Sequence, residues 1–146
     1  MAITTAMVTS FKKQLFEGVH DFRLTGGDTF KAALFTSTAS LDATTTAYST
    51  TNEASGTGYT AGGGTLTRID PASSGTAGYV DFADFTWSTS TITARGVMIY
   101  NTTPTHTYTN PACSVHDFGS DKSSSAGDFT LVFPAAGATT AILRIE

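Results

Sequence analysis

The chain has 146 residues, the length of one domain, and a net charge of −4 with only 14% charged residues. An ordinary soluble domain has about 25% charged residues, and a nucleic-acid-binding domain concentrates its basic residues in a patch. The eight Lys and Arg residues are scattered here, which argues against nucleic-acid binding. Threonine is the commonest residue, and its branched side chain suits a pleated sheet.

One short amphipathic helix is predicted near the N-terminus, over about residues 10–19. Ser10 or Thr9 is placed to cap its start, and Gly18 weakens its end. Apolar side chains recur every four positions, the spacing of one helix face: Phe11, Leu15 and Val19, with Phe16 beside Leu15.

From residue 29 onward the pattern favours strands separated by turn residues. Asp70-Pro71 is expected to end the second strand, Gly96 to mark a bulge in the fourth, and Leu143 and Ile145 to point inward in the last. The third segment is compatible with one bent strand or two. The predicted strands cover residues 29–37, 65–69, 78–87, 91–100, 112–118, 128–133 and 141–145.

Seven or eight such strands are typical of an antiparallel sandwich or barrel. We predict a mainly β protein, an antiparallel, jelly-roll-like β-sandwich with one N-terminal helix, that forms a single domain over residues 1–146. A long polar stretch at about residues 38–64 contains no strand pattern. Loops of that length are uncommon in compact domains and are often functional.

Two short motifs of the sequence resemble nucleotide sites without their context. Residues 56–61 fit G-x-G-x-x-A, but that motif needs a helix start after it, and a Thr-rich strand pattern follows. Asp117-Phe118-Gly119 spells the magnesium motif of kinases without the other kinase motifs. A glycine-rich loop and a turn explain both motifs better, and we expect no cofactor.

Metal and catalytic constellations are also weak. The three His residues show no metal-ligand spacing, and Cys113 and His116 fall on opposite faces of a strand, so Cys113 is interpreted as a small core residue. Asp117, Asp121 and Asp128 surround a serine loop, where solvated turn residues are favoured over a calcium site. The sequence therefore predicts neither a metal site nor an enzyme.

The aromatic residues allow two interpretations. Phe82, Phe85 and Trp87 lie close together, and Phe129 and Phe133 flank Leu131, which is typical of core strands. The alternative is a carbohydrate-binding platform, because sugar rings stack on exposed aromatic rings. Its candidate residues are Tyr48, Tyr59, Tyr79, Tyr100 and Tyr108.

The location of the protein is predicted from what its sequence lacks. Residues 1–10 show neither the basic start nor the apolar run of a secretory signal, and no apolar stretch reaches the length of a membrane helix. We therefore expect synthesis in a cytoplasm without export by the usual route, and no membrane partner.

Several stretches of the chain resemble a family of small structural proteins encoded among the virion genes of tailed bacteriophages. The resemblance lies in residues 11–22 (FKKQLFEGVHDF), 26–37 (GGDTFKAALFTS), 55–67 (SGTGYTAGGGTLT), 92–101 (ITARGVMIYN) and 117–133 (DFGSDKSSSAGDFTLVF). It implies a virion protein without catalytic residues that is synthesised in the cytoplasm of a host bacterium and leaves the cell by lysis. The resemblance extends over most of the chain.

The expected function is a capsid decoration, or cement, protein that binds the major capsid protein on the outer lattice as a homo-oligomer. The alternatives are a neck, collar or tail ring component, or a carbohydrate-binding adsorption module. Rigid β proteins present in many copies suit assembly through self-complementary surfaces. The residues expected to dock on virion partners are Phe11, Leu15, Phe16, Val19, Tyr48 and Tyr59.

Overall fold

The computed structural model describes residues 2–146, which form a mainly β protein with antiparallel sheets and one short helix, as the sequence predicts. No helix in this part of the chain is long and apolar enough to cross a membrane. In chain order the elements are β1 Ala6–Met7, α1 Thr9–Phe16, β2 Phe30–Phe35, β3 Gly64–Thr65, β4 Arg68–Ser74, β5 Ala77–Phe82, β6 Phe85–Ser90, β7 Thr93–Asn101, β8 Ala112–Ser123, β9 Gly127–Leu131 and β10 Leu143–Ile145.

The strands form three sheets around one hydrophobic core. The central sheet has the order β1-β8-β7-β2-β3, a second sheet has the order β10-β5-β4, and β6 pairs with β9. β2 and β7 are buried along most of their length, because other parts of the chain cover both faces of the central sheet. The buried positions of both strands are accordingly mostly apolar.

Aromatic side chains connect the sheets. Phe30 of β2 packs on Phe82 of β5 with 5.9 Å between ring centroids, and it stacks on Phe22 at 4.2 Å. On the same face of the central sheet, where Gly64 pairs with Ala32, the ring of Phe85 in β6 occupies the space where a side chain at Gly64 would lie. The core interpretation of the aromatic strand residues is confirmed, since Phe82, Trp87, Phe129 and Phe133 are buried.

The helix is shorter than predicted and is capped differently. It spans Thr9–Phe16, and its N-cap is Val8, which makes no side-chain capping bond; the predicted caps Ser10 and Thr9 are therefore wrong. The chain leaves the helix through Gly18, whose φ of 69° suits glycine. Val19 lies beyond the helix and is buried in the core of the molecule.

Three strand predictions need correction. Asp70-Pro71 does not end a strand but lies within β4, where the register with β5 shifts between Ile69 and Ala72; β4 is an edge strand, which tolerates proline at a bulge. The predicted strand 65–69 is divided between β3 and β4, whereas the segment 78–87 forms β5 and β6, the two-strand alternative that the sequence left open. β8 continues to Ser123, five residues beyond the predicted end. The bulge beside Gly96 is confirmed.

The long stretch 38–64 lies against the rest of the molecule. It forms single bridges between Leu41 and Ile3, Ala47 and Pro111, and Glu53 and Phe35. Ala39, Leu41 and Ala54 are buried in the core. The polar composition of this segment reflects an exposed outer side, while its small apolar residues anchor the inner side.

Candidate docking surface

α1 presents one side to the core and another to solvent. Phe11 and Gln14, three positions apart, are buried, as neighbours on one helix face are expected to be. Leu15 is half-buried, whereas 95% of Phe16 is exposed. Consecutive helix positions point about 100° apart, so Phe16 projects sideways from the helix. No other large apolar side chain in the described chain is as exposed.

Phe16 stands at one end of an open apolar groove between α1 and β10. The groove has a volume of about 490 Å³ at this end. We call this surface the α1–β10 face and define it by the residues that line it: Met7, Lys12, Leu15, Phe16, Arg144 and Ile145.

The groove continues beyond Phe16 over the second sheet. A neighbouring hollow of about 370 Å³ shares Met7, Leu15, Arg144 and Ile145 with the first, and is lined further by Pro71 and Tyr79. Its deep side is formed by core residues, among them Phe11, Phe22 and Leu143. The apolar surface is therefore continuous, and contiguous apolar surfaces on soluble proteins mark interaction sites.

The prediction that Ile145 points inward is wrong, because 56% of its surface is exposed. It pairs in register with Gly78 of β5, which has no side chain to pack beside it. β10 is also the edge of its sheet, so no further strand covers Ile145. Leu143 pairs with Val80 and is buried, as predicted.

Charged side chains surround the α1–β10 face. Lys13 bonds Glu17 at 2.8 Å, and Tyr108 donates to the other Glu17 oxygen at 2.7 Å. These two hydrogen bonds lower the pKa of Glu17, which keeps it ionised. Arg144 contacts Glu146 at 3.3 Å. Lys12 lines the groove and has no ion pair within residues 2–146.

A buried polar network holds the helix and the following segment on the sheet. His20 Nδ1 accepts from the Asn101 amide nitrogen at 3.0 Å, and its Nε2–H donates to Gln14 Oε1 at 2.8 Å. The same Asn101 nitrogen donates to Asp28 at 2.8 Å. Burial lowers the pKa of His20 to about 4, which keeps the ring neutral, as this bonding requires. The network therefore fixes the position of α1, the helix from which Phe16 projects.

The predicted docking residues do not form one surface. Phe11 and Val19 are buried in the core of this chain and cannot contact a partner in this conformation. Leu15 and Phe16 lie together on the α1–β10 face. Tyr48 and Tyr59 lie elsewhere, half-buried in the 38–64 segment, and their hydroxyl groups are occupied by internal bonds. Of the predicted set, Leu15 and Phe16 are available for docking at this face.

Tyr48 and Tyr59 both donate to Glu53, a residue that the sequence did not single out. Tyr48 bonds Glu53 Oε2 at 2.7 Å and Tyr59 bonds Oε1 at 2.7 Å. The backbone N–H of Gly62 also donates to Oε1, at 2.8 Å. We call this group the Glu53 cluster. Burial and the hydrogen bonds to Glu53 raise the pKa of both tyrosines.

Tyr100 links the Glu53 cluster to the central sheet. Its ring stacks on Tyr48 with 4.5 Å between centroids, and its hydroxyl donates to the carbonyl of Gly62 at 2.7 Å. Burial raises its pKa to about 12. Since Tyr48, Tyr59 and Tyr100 use their rings and hydroxyls in internal contacts, this cluster ties the 38–64 segment to the fold.

The other candidate chemistry is dispersed. Asp121 pairs with Arg95 at 2.9 Å, while Asp117 accepts from the backbone of Gly119 and Asp128 from that of Thr89. Within residues 2–146, no three His, Cys, Asp or Glu side chains are grouped so that they could hold a metal ion. Cys113 is fully buried in the core cluster, as its interpretation as a core residue predicts.

The two nucleotide-like motifs lie in other structural contexts. Residues 56–61 lead into β3, and there is no helix start to hold a phosphate. The turn expected at Asp117-Phe118-Gly119 is wrong, because these residues lie within β8, where Gly119 has a φ of 78°.

Two signals for the docking surface were present in the sequence and one was absent. The placing of Phe16 beside Leu15, off the four-residue stripe, indicates an exposed apolar residue. Arg144 between Leu143 and Ile145 indicates an edge strand with charge. Met7 belongs to a two-residue strand that has no periodicity to detect.

Comparison with known proteins gave no match: no protein-family model, no curated protein and no solved structure matches this chain.

Proposed function

We propose that the protein is a non-enzymatic structural subunit of a tailed-phage virion, a decoration protein bound to the outer capsid lattice. The observation that carries the proposal is Phe16, exposed over 95% of its surface beside the apolar groove of the α1–β10 face. A protein surface of this kind is stabilised when a partner covers it. Because the chain resembles phage virion proteins, we expect that partner to be part of the virion.

The scaffold in this proposal is a β-sandwich. The central sheet forms one layer, and the second sheet together with the β6–β9 pair forms the other. The contacts of Phe30 with Phe82 and of Gly64 with Phe85 support this arrangement, because each joins a strand of the central sheet to a strand outside it. Such a scaffold holds a docking surface rigidly, which reduces the entropy lost on assembly.

The carbohydrate-binding alternative has less support. Stacking on a sugar needs an aromatic face open to solvent. Tyr100 is buried and the other four tyrosines are half-buried. Tyr48 and Tyr59 also use their hydroxyls within the Glu53 cluster. The neck and tail alternatives differ from decoration in copy number, which the following experiment measures.

The test is the stoichiometry of the chain in purified particles. Particles of the phage that encodes the chain are banded by density, and its peptides are quantified by mass spectrometry against those of the major capsid protein. Decoration requires on the order of hundreds of copies per particle, because the lattice repeats its binding site. About a dozen copies would overturn decoration in favour of a ring at the neck or tail. Absence from the particle would overturn the virion proposal itself.

A second arm tests the docking surface. Particles from a host that supplies only Phe16→Asp protein are compared with particles supplied with the wild type. The expected result is loss of the chain from the particle with unchanged capsid yield. Val132→Asp is the matched control, because Val132 is 70% exposed but does not line the α1–β10 face. Equal incorporation of the Phe16→Asp protein would contradict the role of this surface.

A further inference from the structure

We propose that the partner on the α1–β10 face is a second copy of this chain, related by a two-fold axis, with Phe16 of each copy seated in the groove of the other. This inference rests on the proposed function in one respect, that the face is covered in the working protein. It adds the identity of the partner and the contacts that recognise it: the dimer is the unit that decorates the capsid lattice, so Phe16→Asp removes the chain from the particle by preventing the dimer. Two-fold contacts are the commonest way in which identical chains associate.

The α1–β10 face carries both a projection and a matching recess. Phe16 projects at one end, and the hollow of about 370 Å³ continues from it along Met7, Ile145 and Pro71. A protein cavity of about 150 Å³ is large enough to bind benzene, so the recess accommodates a phenyl ring. In a two-fold contact each projection meets the partner's recess, which makes the surface self-complementary.

The charges of the α1–β10 face are distributed so that the projection is acidic and the groove is basic. Glu17 directly follows the projecting Phe16, whereas Lys12 and Arg144 line the groove that would receive it. Seating Phe16 in the partner therefore brings the Glu17 carboxylate, which also bonds Lys13 and Tyr108 of its own chain, towards Lys12 and towards Arg144, which also pairs with Glu146. Lys12 lacks an ion pair within residues 2–146 and gains one in this arrangement. Such complementary charges set the orientation and specificity of an interface more than its affinity.

The local charge of the α1–β10 face does not oppose self-association. The whole chain carries a net charge of −4, which would make two copies repel each other on average. The α1–β10 face differs from that average, because its rim carries Lys12, Lys13 and Arg144 against Glu17 and Glu146. Two copies that meet through this face avoid the acidic remainder of the surface.

The test is the association state of the full chain in solution. Sedimentation equilibrium from about 1 μM to about 1 mM covers the range in which weak and moderate dimers dissociate. The expected result is a monomer–dimer equilibrium for the wild type. Phe16→Asp is expected to weaken dimerisation at least about 30-fold, the effect of losing a central aromatic residue from an interface. A wild-type chain that stays monomeric across this range overturns the inference.

Folding is controlled separately. Because Phe16 is almost fully exposed, Phe16→Asp should keep the circular dichroism spectrum and melting temperature of the monomer. Val132→Asp removes a comparable apolar residue outside the face and should leave dimerisation unchanged. Dimerisation that survives Phe16→Asp, or that Val132→Asp abolishes, places the contact elsewhere and overturns the inference.

A charge exchange tests the proposed orientation. Lys12→Glu should weaken the dimer several-fold, and adding Glu17→Lys should recover part of that loss, since the two positions meet across the two-fold axis. A double variant that is weaker than either single variant overturns this pairing. The inference and the proposed function fail independently: absence from virions leaves a solution dimer intact, and a monomeric chain that decorates particles refutes only the dimer.

Discussion

Replacing Glu53 by Ala removes the carboxylate that accepts three hydrogen bonds from the 38–64 segment. The carboxylate accepts from Tyr48 at 2.7 Å, Tyr59 at 2.7 Å and the Gly62 backbone at 2.8 Å. All three donors stay in place in the variant and lose their shared partner. Tyr59 also links the cluster to β2, since its hydroxyl accepts from the backbone N–H of Leu34 at 2.9 Å.

The magnitude follows from the three hydrogen bonds. A bond to a charged group contributes about 1.5–3 kcal/mol when it is well buried. The cluster is only half-buried, and water can replace part of what Tyr48 loses, so each bond is counted at about 1 kcal/mol. The expected cost is about 3 kcal/mol in the free energy of unfolding. For a chain of this length that corresponds to a fall in Tm of roughly 10 °C.

The assay is thermal and urea denaturation followed by circular dichroism. Glu146→Ala is the matched control, because Glu146 is 62% exposed and forms an ion pair with Arg144 at the surface. Such surface pairs contribute about 0–1 kcal/mol. Glu53→Gln keeps one acceptor oxygen and should lose about half as much stability as Glu53→Ala. A Glu53→Ala protein whose Tm stays within about 2 °C of the wild type would refute the assigned role of the cluster.

Two further predictions concern pH and backbone space. Burial lowers the pKa of His116 from 6.5 to about 4. As the pH falls, the unfolded chain therefore takes up a proton at this residue before the folded chain does. The contribution of His116 to the free energy of unfolding is fully present above pH 6.5 and decreases towards pH 4. His116→Gln should therefore reduce the acid loss between pH 7 and pH 4.5 by about 2 kcal/mol in urea titrations, and equal slopes would contradict this. Gly63→Ala should cost about 3 kcal/mol or more, because φ is +77° and the added Cβ overlaps the Ala32 carbonyl. Gly75→Ala, with φ of +59° and open space, should cost about 1 kcal/mol in the same denaturation assay.

Much of the secondary structure could be predicted because the local pattern of apolar residues agrees with the burial of those residues in the folded protein. The 128–133 segment alternates cleanly, and Phe129, Leu131 and Phe133 are all buried. The prediction near Asp70-Pro71 was wrong because a turn signal is only a local preference. An edge strand has one side free of hydrogen bonds, so it accommodates a proline that an inner strand would exclude.

The candidate site was predicted only in part, because its residues meet through tertiary structure. Phe16 and Leu15 are visible from the helix pattern, but their neighbours Ile145 and Met7 come from opposite ends of the sequence. Glu53 gave no local signal, since a single carboxylate in a polar run looks like any surface residue. The docking role of Tyr48 and Tyr59 stays a prediction, and their observed contacts are internal.

The pairing of distant strands makes the synthesis of this chain its most vulnerable period. β2 is an apolar strand whose main partner, β7, begins 58 residues after β2 ends. At typical elongation rates that interval lasts roughly 3–12 s. β8, which completes the other side of β7, emerges later still. Slower-growing or cooler cultures, in which fewer nascent chains are exposed at once, should therefore favour soluble protein over inclusion bodies.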